Sequence, residues 1–436
     1  MGWKETYNAK LKTMEEAVKC IKSGDKIVIG HAVGEPVKLV DTMVDYVVKS
    51  DLRDIQINQM VAMGHCLYGQ PGMEKYFKVN SLFNGKGTRD AVNTGVGDFV
   101  PCFFYQAPDY WRYTNQPDYI FITVSKPDEN GNCSYGVSCD YTKPVSEIEG
   151  CKVIACVNPN MPYALGNNFI NVEDIDIIVE DDSAMPELPI APLGEVEMAI
   201  GKNISTLIND GDCLQLGIGS IPDAVLKCLG DKKDLGIHSE MISDGVVDLV
   251  EAGVVTCKKK NFNPGKAVIT FLMGTKRLYD FANNNEMVYM APVDYVNNPM
   301  IIGQNDNLVS INSSIEVDLM GQACSEAMGL KQFSGIGGQV DFIRGAAFSK
   351  GGRAILAFPA TAKKGAVSKI VPFLTHGAPV TTSRTDVDYV VTEYGIAKLK
   401  GNSLKERAKQ LINVAAPQFR EDLAGEYEER FHQKLN

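Results

Sequence analysis

The feature that most restricts how this chain can fold is a repeat. Ala17-Val-Lys-Cys-Ile21-Lys-Ser-Gly-Asp25-Lys-Ile-Val-Ile-Gly30 is followed by Pro36 and the apolar positions Val37, Leu39, Val40, Met43 and Val44. Ile204-Ser-Thr-Leu-Ile208-Asn-Asp-Gly-Asp212-Cys-Leu-Gln-Leu-Gly217 is followed by Pro222 and by Ala224, Val225, Leu226 and Leu229. Each copy reads as a helix, a Gly-Asp turn, a buried strand, a glycine loop and a second helix with proline in its first turn. Gly211 lies 187 residues after Gly24, too far apart for a solenoid and suited to two similar halves. The proline-rich stretch Met185-Pro-Glu-Leu-Pro-Ile-Ala-Pro-Leu-Gly194 is the expected linker, which predicts domains over 1–185 and 186–436.

Short β-branched runs alternate with helical patterns in both halves. In the first they are Ile27–Ile29, Ile55–Ile57, Tyr119–Val124, Val153–Val157 and Ile175–Val179. In the second they are Leu214–Leu216, Val268–Phe271, Leu308–Ile311, Ala354–Ala357 and Tyr389–Val391, and Leu404 to Ala415 reads as a late amphipathic helix. Continuous apolar strands separated by helices predict an α/β fold with mainly parallel sheets covered on both faces. Ligands of such sheets sit beyond the carboxyl ends of the strands. Both Leu216-Gly217-Ile218-Gly219 and Ile237-His238-Ser239-Glu240 fall at such ends.

Bulk properties remove several function classes. The net charge is −11, which argues against nucleic acid or an anionic membrane as partner. The N-terminus lacks an apolar signal core and no apolar run is long enough to span a bilayer, so a cytoplasmic protein is expected. The 11 cysteines are scattered without a C-x-x-C pair, and read as reduced, mostly buried thiols. Five histidines without metal-ligand spacing predict no metal site.

Three stretches stand out chemically: Leu214-Gln-Leu-Gly-Ile-Gly-Ser220, Gly236-Ile-His-Ser-Glu-Met-Ile-Ser-Asp-Gly245 and Phe333-Ser-Gly-Ile-Gly-Gly-Gln-Val-Asp-Phe342. The glycines offer close backbone approach and exposed N–H donors, but neither run completes a dinucleotide fingerprint, and tight strand-to-helix turns explain them equally. Glu240 lies in a segment too apolar for a casual surface acid, although spacing alone favours a plain glutamate at a strand end. His238 reads as a structural imidazole, and Ser239 lacks a nucleophile elbow. Lys363-Lys364 and Gly85-Lys-Gly-Thr-Arg89 are candidate anion loops, each also readable as solvated loop, and Lys258–Lys260 reads as a wet surface run.

Taken together these residues resemble the acetyl-CoA hydrolase/transferase family of CoA-transferases over essentially the whole chain. The marks are Gln215–Gly219, Gly236–Leu249, Phe271–Asp280, Lys331–Phe342 and Tyr389–Gly395, in the family's order. The resemblance implies two tandem CoA-transferase-type (NagB/RpiA-like) domains, the first closing over the acyl group and the second carrying the catalytic glutamate. By motif position that glutamate is Glu240. CoA and oxyanion contacts are implied at Gln215, Leu216, Gly217, Ile218, Gly219, Ile315, Gly337, Gly338 and the Lys363/Lys364 pair. His31, in the loop Gly30–Pro36, is the expected acyl-pocket residue. The implied reaction moves CoA from an acyl-CoA to a short-chain carboxylate such as acetate, butyrate or 4-hydroxybutyrate by a ping-pong route. A glutamate suits it, being ionised at neutral pH without a general base. No cofactor beyond CoA as substrate is implied, and the expected assembly is a homodimer or higher homo-oligomer. A hydrolase, or a non-catalytic ligand-binding protein on the same scaffold, is the rival.

Overall fold

The computed structural model describes residues 2–189 and 192–435, so the part of the linker at 190 and 191 lies outside the described residues. Two compact units form. Among the described residues, the first holds 2–189 together with Val268–Val296, and the second holds 192–267 and 297–435. The expected single boundary therefore needs correcting, because 268–296 packs with the first unit. Hydrogen bonds fix it there: Cys139 N–H reaches Thr270 O, and Met290 N–H reaches Leu165 O. The Tyr279 hydroxyl binds Pro186 O at 2.8 Å. The run expected at 268–271 is split into Ala267–Ile269 and Phe271–Leu272 and joins neither main sheet.

The first unit is built on a seven-stranded sheet of β1 (Lys26–Ile29), β2 (Ile55–Gln59), β3 (Phe77–Ser81), β4 (Gly97–Phe99), β5 (Tyr119–Val124), β6 (Lys152–Val157) and β7 (Ile177–Glu180). The order is β4-β3-β2-β1-β5-β6-β7 and every pairing is parallel. Helix α1 (Val37–Lys49) buries Leu39, Val40, Met43, Val44 and Val47, its apolar stripe at helical spacing, in the core with Ile27, Ile29, Ile55 and Ile57.

The second unit carries α2 (Glu195–Ser205), β8 (Cys213–Leu216), α3 (Ser220–Lys227), β9 (Gly236–Ile237), α4 (Asp244–Glu251), β10 (Leu308–Asn312), α5 (Gln339–Phe348), β11 (Arg353–Ala357), β12 (Tyr389–Thr392), β13 (Gly395–Lys398) and α6 (Leu404–Val414). Its sheet runs β9-β8-β10-β11-β12-β13, parallel except for the last pair. In both sheets the chain starts in the middle and winds outward in both directions. The crevices where direction reverses lie between β1 and β5, and between β8 and β10.

The repeat persists down to single hydrogen bonds. Gly24 and Gly211 have φ of 90° and 80°, a left-handed turn that glycine adopts without steric cost. In the first copy the Asp25 carboxylate accepts Lys22 N–H at 2.7 Å; in the second Asp212 accepts Asn209 N–H at 2.7 Å. Each aspartate thus closes the turn that delivers the chain into its buried strand. All 11 cysteines are free thiols, eight of them buried. Among the described residues no helix is long and apolar enough to cross a membrane, and no cluster of His, Cys, Asp and Glu could hold a metal ion.

Candidate active site

The carboxyl ends of β8 and β10 are laced together by side-chain amides. Gln215, 3 % exposed, accepts through Oε1 from Ser310 Oγ at 2.7 Å and Asn312 Nδ2 at 3.0 Å, and donates through Nε2 to Asn312 Oδ1 at 3.2 Å. Beyond Leu216 the loop Gly217-Ile218-Gly219 turns into α3. Gly219, the residue before the helix, has φ of 114°, and a β-carbon at Gly217 or Gly219 would meet open space. Ile315 lies three residues past β10 and ties its N–H to Cys324 O at 2.9 Å. Gln215–Gly219 and Ile315 therefore follow the two neighbouring strands β8 and β10 at the topological switch point, where ligands of open α/β sheets bind.

Glu240 follows β9, the strand beside β8. Its approach is fixed on that side: His238 N–H binds Leu214 O, and Ser239 Oγ donates to Leu216 O at 3.1 Å and accepts Leu216 N–H at 3.3 Å. The buried His238 ring accepts at Nδ1 from Asn305 Nδ2 at 3.2 Å and packs near Phe342, a structural role. Glu240 itself is half-buried. The fully buried Asn297 donates from Nδ2 to Glu240 Oε2 at 2.7 Å, with Asp341 Oδ2 at 3.4 Å from the same nitrogen. Carboxylates only accept, so these two orient the amide, and a short charge-assisted hydrogen bond anchors one oxygen of Glu240.

Gly338 precedes α5, and a β-carbon there would lie 1.9 Å from Glu240 Oε2. Only a glycine lets the carboxylate rest against this helix start. Gly337 has φ of 57°, so the turn before it is left-handed. Gly338 thus sits at Glu240, while Gln215–Gly219 holds the adjoining strand end.

The other candidates lie on other elements. Lys363 and Lys364 form the exposed tip of the hairpin Thr361–Ala362/Val367–Ser368, both with positive φ. Gly85–Arg89 leads into the short helix Arg89–Thr94. In the first unit, His31 is 2 % exposed, and its Nδ1 lies 2.9 Å from Asp140 Oδ2. Phe104, Tyr141 and Phe271 ring its imidazole.

Lys260 corrects the reading of 258–260 as wet surface. It is 6 % exposed, and its Nζ donates to Ile237 O at 2.8 Å and Lys266 O at 2.7 Å, bracing the strand that leads to Glu240. Burial pushes its pKa down. Lys369 went unnoticed in the sequence. Its Nζ binds Ser314 O at 2.9 Å over the Phe358 ring, and burial lowers its pKa to about 8, opposed by Glu393. Asn297, Ser310 and Asn312 were likewise missed as partners; a lone asparagine just after a helix or at the end of a strand carries no periodic signal.

The structure is a doubly wound α/β repeat with a half-buried glutamate at the end of the second unit's sheet, hydrogen-bonded by Asn297 and seated against Gly338. The acetyl-CoA hydrolase/transferase N-terminal domain matches residues 1–189 and the C-terminal domain matches 274–427, so the chain belongs to the acetyl-CoA hydrolase/transferase family. It is 58% identical to the 4-hydroxybutyrate coenzyme A transferase of Clostridium kluyveri, over 99% of this chain and all of that protein. The crystal structure of 4-hydroxybutyrate CoA-transferase from Porphyromonas gingivalis superposes with a TM-score of 0.85 at 42% identity, covering 98% of this chain and 100% of that one. RipA from Yersinia pestis superposes with a TM-score of 0.93 at 37% identity, covering 99% and 100%.

Proposed function

We propose that this protein transfers CoA from an acyl-CoA to a short-chain carboxylate, with 4-hydroxybutyrate and acetate as the favoured acids, and that Glu240 is the nucleophile. The observation that carries the reading is the state of that side chain. It is half-buried at a strand-end crevice, anchored through one oxygen by Asn297 at 2.7 Å, and seated against a glycine at a helix start. The 58% identity to a 4-hydroxybutyrate coenzyme A transferase supports the choice of acid.

In the reaction a Glu240 oxygen attacks the thioester carbonyl. The new C–O bond forms as the C–S bond breaks, giving a mixed anhydride and CoA thiolate. The thiolate attacks the glutamyl carbonyl, the C–O bond to the acyl group breaks, and the first carboxylate leaves behind an enzyme–CoA thioester. A second carboxylate reverses both steps and departs as its CoA ester. Each tetrahedral intermediate bears an oxyanion. Its donors are backbone N–H groups of the Gly217–Gly219 loop or of Gly337–Gly338, and losing one such donor costs roughly 3–4 kcal/mol of barrier. Gln215, Leu216, Ile218 and Ile315 shape the crevice for CoA, with Lys363 or Lys364 meeting its phosphates. A carboxylate is a weak nucleophile toward a thioester, so binding of the remote CoA body supplies much of the activation.

His31 belongs to the same reading as an acyl contact. With Nδ1 held by Asp140, its Nε2 is the ring atom left to meet a hydroxyl on the acyl chain.

The test is trapping. Acyl-CoA followed by borohydride should reduce the enzyme thioester, abolish activity and leave a modification on the peptide carrying Glu240. No modification, with activity intact, would remove the covalent route. Free CoA accumulating without an acceptor acid would identify a hydrolase.

A further inference from the structure

The site described so far uses the backbone of Gly338 and the side chains of Glu240 and Asn297, but leaves without work a buried donor on the next residue of the chain. Gln339 is the first residue of α5, a helix of 10 residues. It is 8 % exposed, and its Nε2 has no hydrogen-bond partner. Burying an amide donor unpaired costs stability, and native proteins tolerate it where the partner arrives later. The residue immediately before it is the glycine at which a β-carbon would lie 1.9 Å from Glu240 Oε2. The first-turn N–H groups of a helix also lack intrahelical acceptors and carry the positive end of its dipole, so this corner favours an oxygen bearing negative charge.

We propose that the Gln339 side-chain amide is a catalytic donor, hydrogen-bonding the oxygen of the acyl group on which negative charge develops when Glu240 attacks. Asn297 holds the oxygen of Glu240 itself, and Gln339 serves the carbonyl oxygen of the partner in the reaction. The division follows from the chemistry of the anhydride, which has two carbonyls and passes through an oxyanion on each in turn. The inference rests on the proposed role of Glu240.

The test pairs Gln339→Met, which keeps length and removes the donor, with Glu240→Gln in the same exchange assay. Gln339→Met should lower kcat by about 10²-fold, in the range seen on removing one oxyanion donor. KM for the acyl-CoA should stay within about threefold, and borohydride-trappable enzyme–CoA should form more slowly by the same factor as kcat. If Gln339→Met does not fold, Gln339→Glu carries the test; it has the same shape but accepts where the amide donates, and must lose at least as much. An unchanged kcat in a folded variant overturns the inference, and so does a rise in KM alone, which would mean that Gln339 binds substrate and transition state equally. Glu240→Gln separates the two failures. If it is inactive while Gln339→Met is active, only Gln339 is misassigned; if it is fully active, the reading of the site has failed.

Discussion

Replacing Gly338 by alanine tests the site through geometry alone. The added carbon would stand 1.9 Å from Glu240 Oε2, 2.3 Å from Asn297 Nδ2 and 3.0 Å from Glu240 Cδ. Real β-carbons essentially never approach another atom closer than 3.0 Å, so the carboxylate must retreat by about 1.1 Å and the 2.7 Å bond from Asn297 must break or follow. The backbone at 338, with φ −91° and ψ 7°, accepts alanine, and the clashing atoms end flexible side chains. The fold should therefore lose no more than about 1 kcal/mol, the usual range for a mild substitution. Catalysis should lose far more, because a reacting group misplaced by about 1 Å costs on the order of 10²-fold, about 2.7 kcal/mol of barrier. The assay is CoA exchange at saturating acyl-CoA, with thermal unfolding alongside. A Gly338→Ala protein with unchanged melting and kcat within threefold of the parent would refute the placement of Glu240 against this helix start.

Other expectations follow from the same structure. Gln215→Leu strands the buried Ser310 hydroxyl, a donor worth about 1–3 kcal/mol, while the half-buried Asn312 amide keeps Ser310 Oγ at 2.9 Å, so denaturant unfolding should show a loss of at least about 1 kcal/mol. Lys369 has a folded pKa of about 8, below the usual lysine value. Between there and the unfolded value of about 10.4 the unfolded chain binds the extra proton, so this residue's contribution to stability rises with pH across that window, and Lys369→Met should flatten the rise. His31→Leu should raise KM for 4-hydroxybutyrate relative to butyrate by about tenfold, the value of one hydrogen bond, while exchange with butyrate persists.

Much of the fold was legible because it repeats. The Gly-Asp turn, the apolar strand and the proline-started helix are local signals, and they placed β1 and β8 to within a residue. Fully buried parallel strands such as Tyr119–Val124 read as unbroken apolar runs and were bounded correctly. Phe77–Ser81 and Gly97–Phe99 were not, because alternating or polar edge strands have weak local signals, and the register of Ile177–Glu180 slipped by two residues at its start. The return of 268–296 to the first unit had no signature, since pairing with residues more than a hundred positions earlier is invisible in local periodicity. At the site, the glycines and Glu240 announced themselves through motifs, but Asn297 did not. A single asparagine gains meaning only once folding sets its amide beside a carboxylate. Lys260 was misjudged for the converse reason: a run of three lysines looks solvated until two backbone carbonyls are seen to hold its last member.

The central claim is that the Glu240 carboxylate is itself the group that reacts, and the most direct measurement is CoA exchange between acetyl-CoA and a labelled carboxylate by Glu240→Gln protein of unchanged fold. The account expects exchange to fall by several orders of magnitude with no borohydride-sensitive enzyme–CoA species, because an amide oxygen is too weak a nucleophile to form the anhydride. Exchange at the parent rate in that protein would contradict it.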